Sequence, residues 1–260
     1  MKKFSLILIL VLILVDCSKN DILEDPLEDA CLNYIDHVYK YPAISWKDSA
    51  STENSGQRTK EALKIPEDYL KCCSTDSLIR TCLNCPYFIL MWTSSDLQTA
   101  FSKAIMINCN GFDELYSRDD IGLKLIYEYR TMYATGFPQD EDTKKIIAHI
   151  MTLVNIEMTI AQYDFLNKLT EEEIILLLDE CISKYKLKLA YENWGYYGII
   201  STLCIMARIM FIADYKPFTD EIDKIYGLYG IVESATIIES EQALNTILRI
   251  SENYLAELKK

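Results

Sequence analysis

Cys72, Cys73, Cys82 and Cys85 crowd one short stretch and contain a single C-x-x-C, a spacing that elsewhere serves zinc or dithiol chemistry. A zinc ribbon needs two such pairs on tight turns, and the adjacent Cys72 and Cys73 make poor tetrahedral ligands. A redox C-x-x-C needs a strand before it and a helix after it, whereas this segment reads as helical and ends at Pro86. Packing is the expected role of these side chains, and no metal or other cofactor is expected. Only His37 and His149 could act as imidazole bases or ligands, and His149 sits among Ile146, Ile147 and Ile150 with no second ligand at helical spacing. The chain has no G-x-S-x-G, no Walker loop and no G-x-G-x-x-G.

Carboxylate pairs are more plentiful. Asp119 with Asp120, and Glu171 to Glu173, could in principle work as acid and base, but their positions in first helical turns already give them a role against the helix dipole. Aromatic residues form the other distinctive group: Tyr39, Tyr41 and Trp46 near the N-terminus, and Trp194, Tyr196 and Tyr197 around Gly195. Trp46, Trp194, Tyr196 and Tyr197 are the candidate binding aromatics, because such rings stack on sugars or bury into protein partners.

The elements that must position these residues are helices. From Thr59 onward apolar residues recur at spacings of three and four, opened by capping residues and closed by Gly, Asn or Pro. Pro66 followed by Glu67 and Asp68 opens one helix, and Ser74 or Thr75 opens the next, to about Asn84. A capping box is read at Ser95 with Gln98, a helix opening at Ser117 with Asp120, and another capping box at Thr170 with Glu173. The second of these helices is expected to close at Gly136 and Pro138. Ile147 to Phe165 reads as one long apolar seam, and Ser240 to Leu258 as the last helix. Trp194 to Ala213 is the most apolar stretch, and Arg208, its only charge, argues for burial among helices over a membrane span. The expected fold is all-α, an irregular α-α bundle or superhelix of about 8–10 helices. Residues 1–16 read as a signal peptide, 17–57 as a tether or linker, and 58–260 as the helical domain.

With 26 Lys and Arg against 39 Asp and Glu, the formal net charge is −13, and loss of residues 1–16 would leave it slightly more negative. Such a surface repels phosphate backbones, so nucleic acid is not an expected partner. Nine cysteines in 260 residues is far below the density of a small disulfide scaffold. Few disulfides, or none, are expected, with Cys181 and Cys204 as small hydrophobes on helix faces.

At the N-terminus, Lys2 and Lys3 precede an apolar stretch from Phe4 to Val15, the layout of a secretory signal and too short for a bilayer span. Leu14, Val15, Asp16 and Cys17 resemble the lipobox of bacterial lipoproteins, with Asp16 standing where Gly, Ala or Ser is usual. The resemblance implies that Cys17 is acylated, with palmitate among the acyl groups, and becomes the mature N-terminus. Asp21, Glu24 and Asp25 follow as an acidic tether. Within the body, I-P-E-D-Y-L (Ile65 to Leu70), S-T-D-S-L-I-R-T-C-L-N-C-P (Ser74 to Pro86), N-G-F-D-E-L (Asn110 to Leu115) and R-D-D (Arg118 to Asp120) are similar to uncharacterised exported lipoproteins of Gram-negative bacteria. That resemblance covers roughly a quarter of the chain and implies export and a helical body. It brings no catalytic residue. The expected function is a non-enzymatic, lipid-anchored envelope protein, held at the periplasmic or surface face of the outer membrane and offering a helical surface to a protein or glycan. The rivals are an envelope hydrolase using a carboxylate pair, and an inhibitor or immunity partner.

Overall fold

A computed structural model describes residues 31, 33–43, 55–134, 143–191, 194–236 and 240–260. Cys17 and Trp46 lie outside these residues, as do Gly136 and Pro138.

The chain is all-α. Its helices run α1 Ser55–Ala62, α2 Glu67–Cys72, α3 Thr75–Leu83, α4 Leu97–Ala100, α5 Gly111–Ser117, α6 Ile121–Thr131 and α7 Thr143–Ile160. They continue as α8 Tyr163–Leu166, α9 Glu171–Leu189, α10 Gly195–Ile212, α11 Lys216–Thr219, α12 Leu228–Ser234 and α13 Glu241–Leu258. A 3-10 helix, Pro86–Thr93, and a π-helix, Phe101–Met106, lie between α3 and α5. The helices beyond the expected number include three of a single turn, α4, α8 and α11, too short to leave a periodic stripe.

Residues 55–134 make an N-terminal half in which α3 packs on α5 and α6. In the C-terminal half α10 is the axis, with α7, α9, α12 and α13 around it. This explains why α10 is apolar on nearly every side: a helix with neighbours all round has no face to give to water. No helix of the described residues is long and apolar enough to cross a membrane.

Several boundaries follow the local chemistry read above. Ser74 caps α3, its hydroxyl accepting from the Ser77 amide at 3.2 Å. Thr170 and Glu173 close a reciprocal capping box on α9. Others differ. Asp96, and not Ser95, caps α4, because its carboxylate takes both the amide and the hydroxyl of Thr99. Ser117 ends α5 and bonds back to the Glu114 carbonyl, and α6 starts at Ile121. α6 stops at Thr131, before Gly136. The seam from Ile147 to Phe165 breaks after Ile160, where Gln162 turns extended and opens α8.

Among the described residues there are two disulfides, in line with the few expected: Cys31–Cys72, with Cα atoms 4.6 Å apart, and Cys85–Cys109, 6.8 Å apart. The second joins the turn after α3 to the turn before α5, a pairing that helical periodicity does not encode. The first pins the N-terminal stretch to the body. Residues 33–43, read as tether, lie along α2 and α3: Ser74 N–H donates to Ile35 O at 2.9 Å, Tyr69 O–H to His37 O at 2.7 Å, and Tyr39 N–H to Thr81 Oγ1 at 3.0 Å. Cys73, Cys82, Cys181 and Cys204 are buried thiols.

Candidate functional site

The densest polar chemistry is inside the C-terminal half. Glu157 sits in α7 among Ile156 and Met158, and Lys188 lies in the last turn of α9. Both side chains are wholly buried. Lys188 Nζ donates to Glu157 Oε1 and Oε2 at 2.7 Å each, to Gly198 O at 2.7 Å and to Thr202 Oγ1 at 2.8 Å. The carboxylate also accepts from Tyr129 O–H at 2.8 Å, Ser201 O–H at 2.5 Å and Thr202 O–H at 2.8 Å. Four helices, α6, α7, α9 and α10, meet at this one ion pair. Burial pulls the Lys188 pKa down, and the Glu157 charge opposes that pull. Burial likewise pushes the Tyr129 phenol and the Cys181 thiol well up.

Trp194 closes the cluster. Its indole lies 4.6 Å from Lys188 Nζ, and its N–H donates to Ala134 O at 2.7 Å. The close approach needs Gly198: a Cβ there would stand 2.6 Å from the indole. A serine, a lysine and a carboxylate together contain the parts of a nucleophile, yet their arrangement here is structural. Ser201 donates to the carboxylate and not to the lysine nitrogen, and no solvent reaches the pair. What it does is fix the register of four helices.

Arg208 makes the second internal anchor. Its guanidinium donates to Val232 O at 2.7 Å, Ala161 O at 2.6 Å, Glu233 O at 2.9 Å and Gln98 Oε1 at 2.9 Å, and lies 4.7 Å over the Tyr163 ring. Ala161 directly follows α7, and Val232 and Glu233 lie in the last turn of α12, so the cation sits where helix carbonyls are unsatisfied and the dipole is negative.

Of the candidate aromatics, Trp194 is 2% exposed and packs as described. Tyr197 is half-buried; its O–H donates to Ser94 O at 3.2 Å and its ring lies 5.4 Å from that of Trp92. Tyr196 is in the first turn of α10. Trp194 is thereby engaged inside the molecule, while Tyr197 stays partly exposed.

Two openings at the surface are lined by described residues. One, of about 470 Å³, lies between Val38–Ala43 and the turn of Asn84 and Pro86. Tyr39 and Tyr41 wall it, their rings edge to face at 5.3 Å. The Tyr41 hydroxyl is buried without a hydrogen-bond partner, and burial holds its pKa far above the ordinary value. The other opening, of about 340 Å³, is lined by Arg118, Asp119, Ile121, Gly122, Lys168 and Glu173. The fold thus brings the two carboxylate clusters of the sequence to one cleft, where α6 and α9 both begin. Most of its charges are spent: Arg118 holds Glu114 and the carbonyls of Leu70 and Cys73, Lys168 holds the Tyr116 carbonyl, and Glu173 caps α9. Asp119 is the exposed acid of the group.

The internal cluster was missed in the sequence because Lys188 follows Lys186 in a last helical turn, which reads as ordinary dipole compensation. The available signal was Glu157, a lone acid in an otherwise apolar helical run. Compared with family models, with curated proteins and with solved structures, the chain matches none.

Proposed function

We propose that this chain is an exported lipoprotein of the cell envelope, acylated at Cys17, whose helical body binds a protein or a glycan and performs no catalysis of its own. The observation that carries the reading is the combination of a signal-like leader ending at Cys17 with a body cross-linked by Cys31–Cys72 and Cys85–Cys109. Disulfides persist in oxidising compartments such as the periplasm and the cell surface and are rare in a reducing cytosol. The resemblance to exported lipoproteins of Gram-negative bacteria supports the same reading, in which the anchor sits in the outer membrane. The groove walled by Tyr39 and Tyr41 supports binding there, since it offers aromatic edges beside Pro42 and Pro86 with Lys40 and Asn84 at hand. The test is binding of the mature chain to a glycan array and to purified envelope proteins, with Tyr39→Ala as control. Saturable binding lost in Y39A supports the reading, and reproducible substrate turnover abolished by one side-chain change overturns it.

A second reading, an envelope hydrolase, draws on the cleft that holds Asp119 and Glu173 together. It requires that D119N abolish a hydrolytic activity while leaving the fold intact.

A further inference from the structure

The C-x-x-C of the sequence reappears in the structure with one member bridged elsewhere. Cys85 is joined to Cys109, and Cys82, three residues earlier, is a wholly buried thiol. We infer that Cys82 is a resolving thiol for the Cys85–Cys109 disulfide, able to exchange it for a Cys82–Cys85 bridge that frees Cys109.

The local geometry places Cys82 beside both turns that the bridge joins. Cys85 N–H donates to Cys82 O at 3.0 Å, and Asn84 between them has φ −88° and ψ 6°, the third position of a type I turn. The Cα atoms across such a turn lie within about 7 Å, the span a disulfide can bridge. On the other side, Cys82 Sγ packs on the backbone that follows Cys109. A Cβ on Gly111 would stand 2.8 Å from that sulfur, and Phe112 N–H turns back to Cys109 O at 3.3 Å. Cys82 therefore lies between the two turns that the existing bridge joins. Of the other thiols, Cys73 donates to Leu70 O at 3.8 Å and neighbours Cys82 without being in the bridge, and Cys181 and Cys204 belong to α9 and α10.

The direct step balances without an outside oxidant. The Cys82 thiolate attacks Cys85 Sγ, the Cys85–Cys109 bond breaks, and the departing Cys109 thiolate takes up a proton equivalent to the one Cys82 lost. A small thiol can carry the same exchange in two steps. It first opens the bridge as a mixed disulfide on Cys85, releasing Cys109, and is then expelled by Cys82. The net change is identical and the small thiol is regenerated.

The setting also fixes the tempo. Cys82 sits in the last turn of α3, at the negative end of the dipole, whereas the reactive cysteine of a dithiol oxidoreductase sits at a helix N-terminus. Burial adds to this and holds the thiol protonated. Exchange must wait for the end of α3 to open, which makes the site a slow isomerising bridge and not an oxidoreductase centre.

The experiment uses the mature chain in a buffer of reduced and oxidised glutathione, quenched with acid, alkylated under denaturing conditions and digested with trypsin without reduction. Cleavage after Arg80, Lys103 and Arg118 puts Cys82 and Cys85 on one peptide and Cys109 on the next. The Cys85–Cys109 bridge then appears as two linked peptides, and the Cys82–Cys85 bridge as a single peptide 2 Da lighter than its reduced form beside an alkylated Cys109. The lighter peptide is expected in the wild type, growing with time. In C109A the same bridge is expected to form, so that Cys82 and Cys85 both lose alkylation. The inference is overturned if the wild type shows only the linked pair with Cys82 alkylated throughout. It is equally overturned if C109A keeps its helical circular dichroism and yet leaves both thiols alkylated. Should C109A fail to fold, the wild-type map decides.

Discussion

Replacing Lys188 with Met is the sharpest test of the internal anchor. The substitution keeps an unbranched side chain of similar length but leaves the Glu157 carboxylate with only the Tyr129, Ser201 and Thr202 hydroxyls in a site that water does not reach. Removing one partner of a buried pair costs about 3–5 kcal/mol, because the remaining charge stays desolvated. That is a large share of the roughly 5–15 kcal/mol by which a domain is stable. With a urea slope of about 3 kcal/mol per molar, K188M should move the urea midpoint down by about 1.0–1.7 M, followed by far-UV circular dichroism. The double variant E157M/K188M removes both charges and should be destabilised by less than the sum of the single variants, with a coupling of about 2 kcal/mol. A K188M midpoint within about 0.3 M of the wild type, an estimate from the same slope, would refute the assignment of this pair as the tie between α6, α7, α9 and α10. So would singles that simply add.

Three further outcomes follow from the same structure. Arg208→Met should cost about 3 kcal/mol or more, since it strips partners from the carbonyls of Ala161, Val232 and Glu233; an unchanged melting temperature by calorimetry would contradict this. Asn110→Ala should cost about 1–2 kcal/mol, because its amide accepts from Ile65 N–H and donates to Ile65 O at 2.9 Å each, tying two loops together; chemical denaturation reads the difference. At alkaline pH, burial raises Tyr185 to about 12 and holds Tyr116 and Tyr129 well above the ordinary value. Because the folded values lie above the unfolded value near 10, this contribution to stability is intact below about pH 10 and is lost as the pH rises through 12. Tyrosinate absorbance at 295 nm should therefore finish its rise only as helicity is lost, and complete ionisation near pH 10 with the helices intact would disagree.

What could be read from the sequence was what is local in the chain. Ser74 and Thr170 cap helices because a hydroxyl can reach an amide three residues on, and α10 is legible because its apolar length leaves little alternative. Arg208 was recognisable as buried, but not its partners, which lie on α7, α12 and the Gln98 side chain. Ser95 and Ser117 were misplaced caps because their hydroxyls compete with neighbouring carboxylates and carbonyls that spacing alone cannot rank. The Cys85–Cys109 pairing and the Glu157–Lys188 contact depend on how distant turns and helices meet. Tyr39 and Tyr41 were noticed only as aromatics near a tether; the hydrogen bonds from residues 33–43 to α2 and α3 are what make them the wall of a groove.

The most direct measurement of the proposed anchoring is the mass and label of the mature N-terminus, taken from the full-length chain expressed in a Gram-negative host fed labelled palmitate. The expected result is a chain that begins at Cys17, carries the label and partitions into membranes, with label and partitioning both lost in Cys17→Ala. An unlabelled chain beginning at another residue, or a label that survives Cys17→Ala, would contradict it.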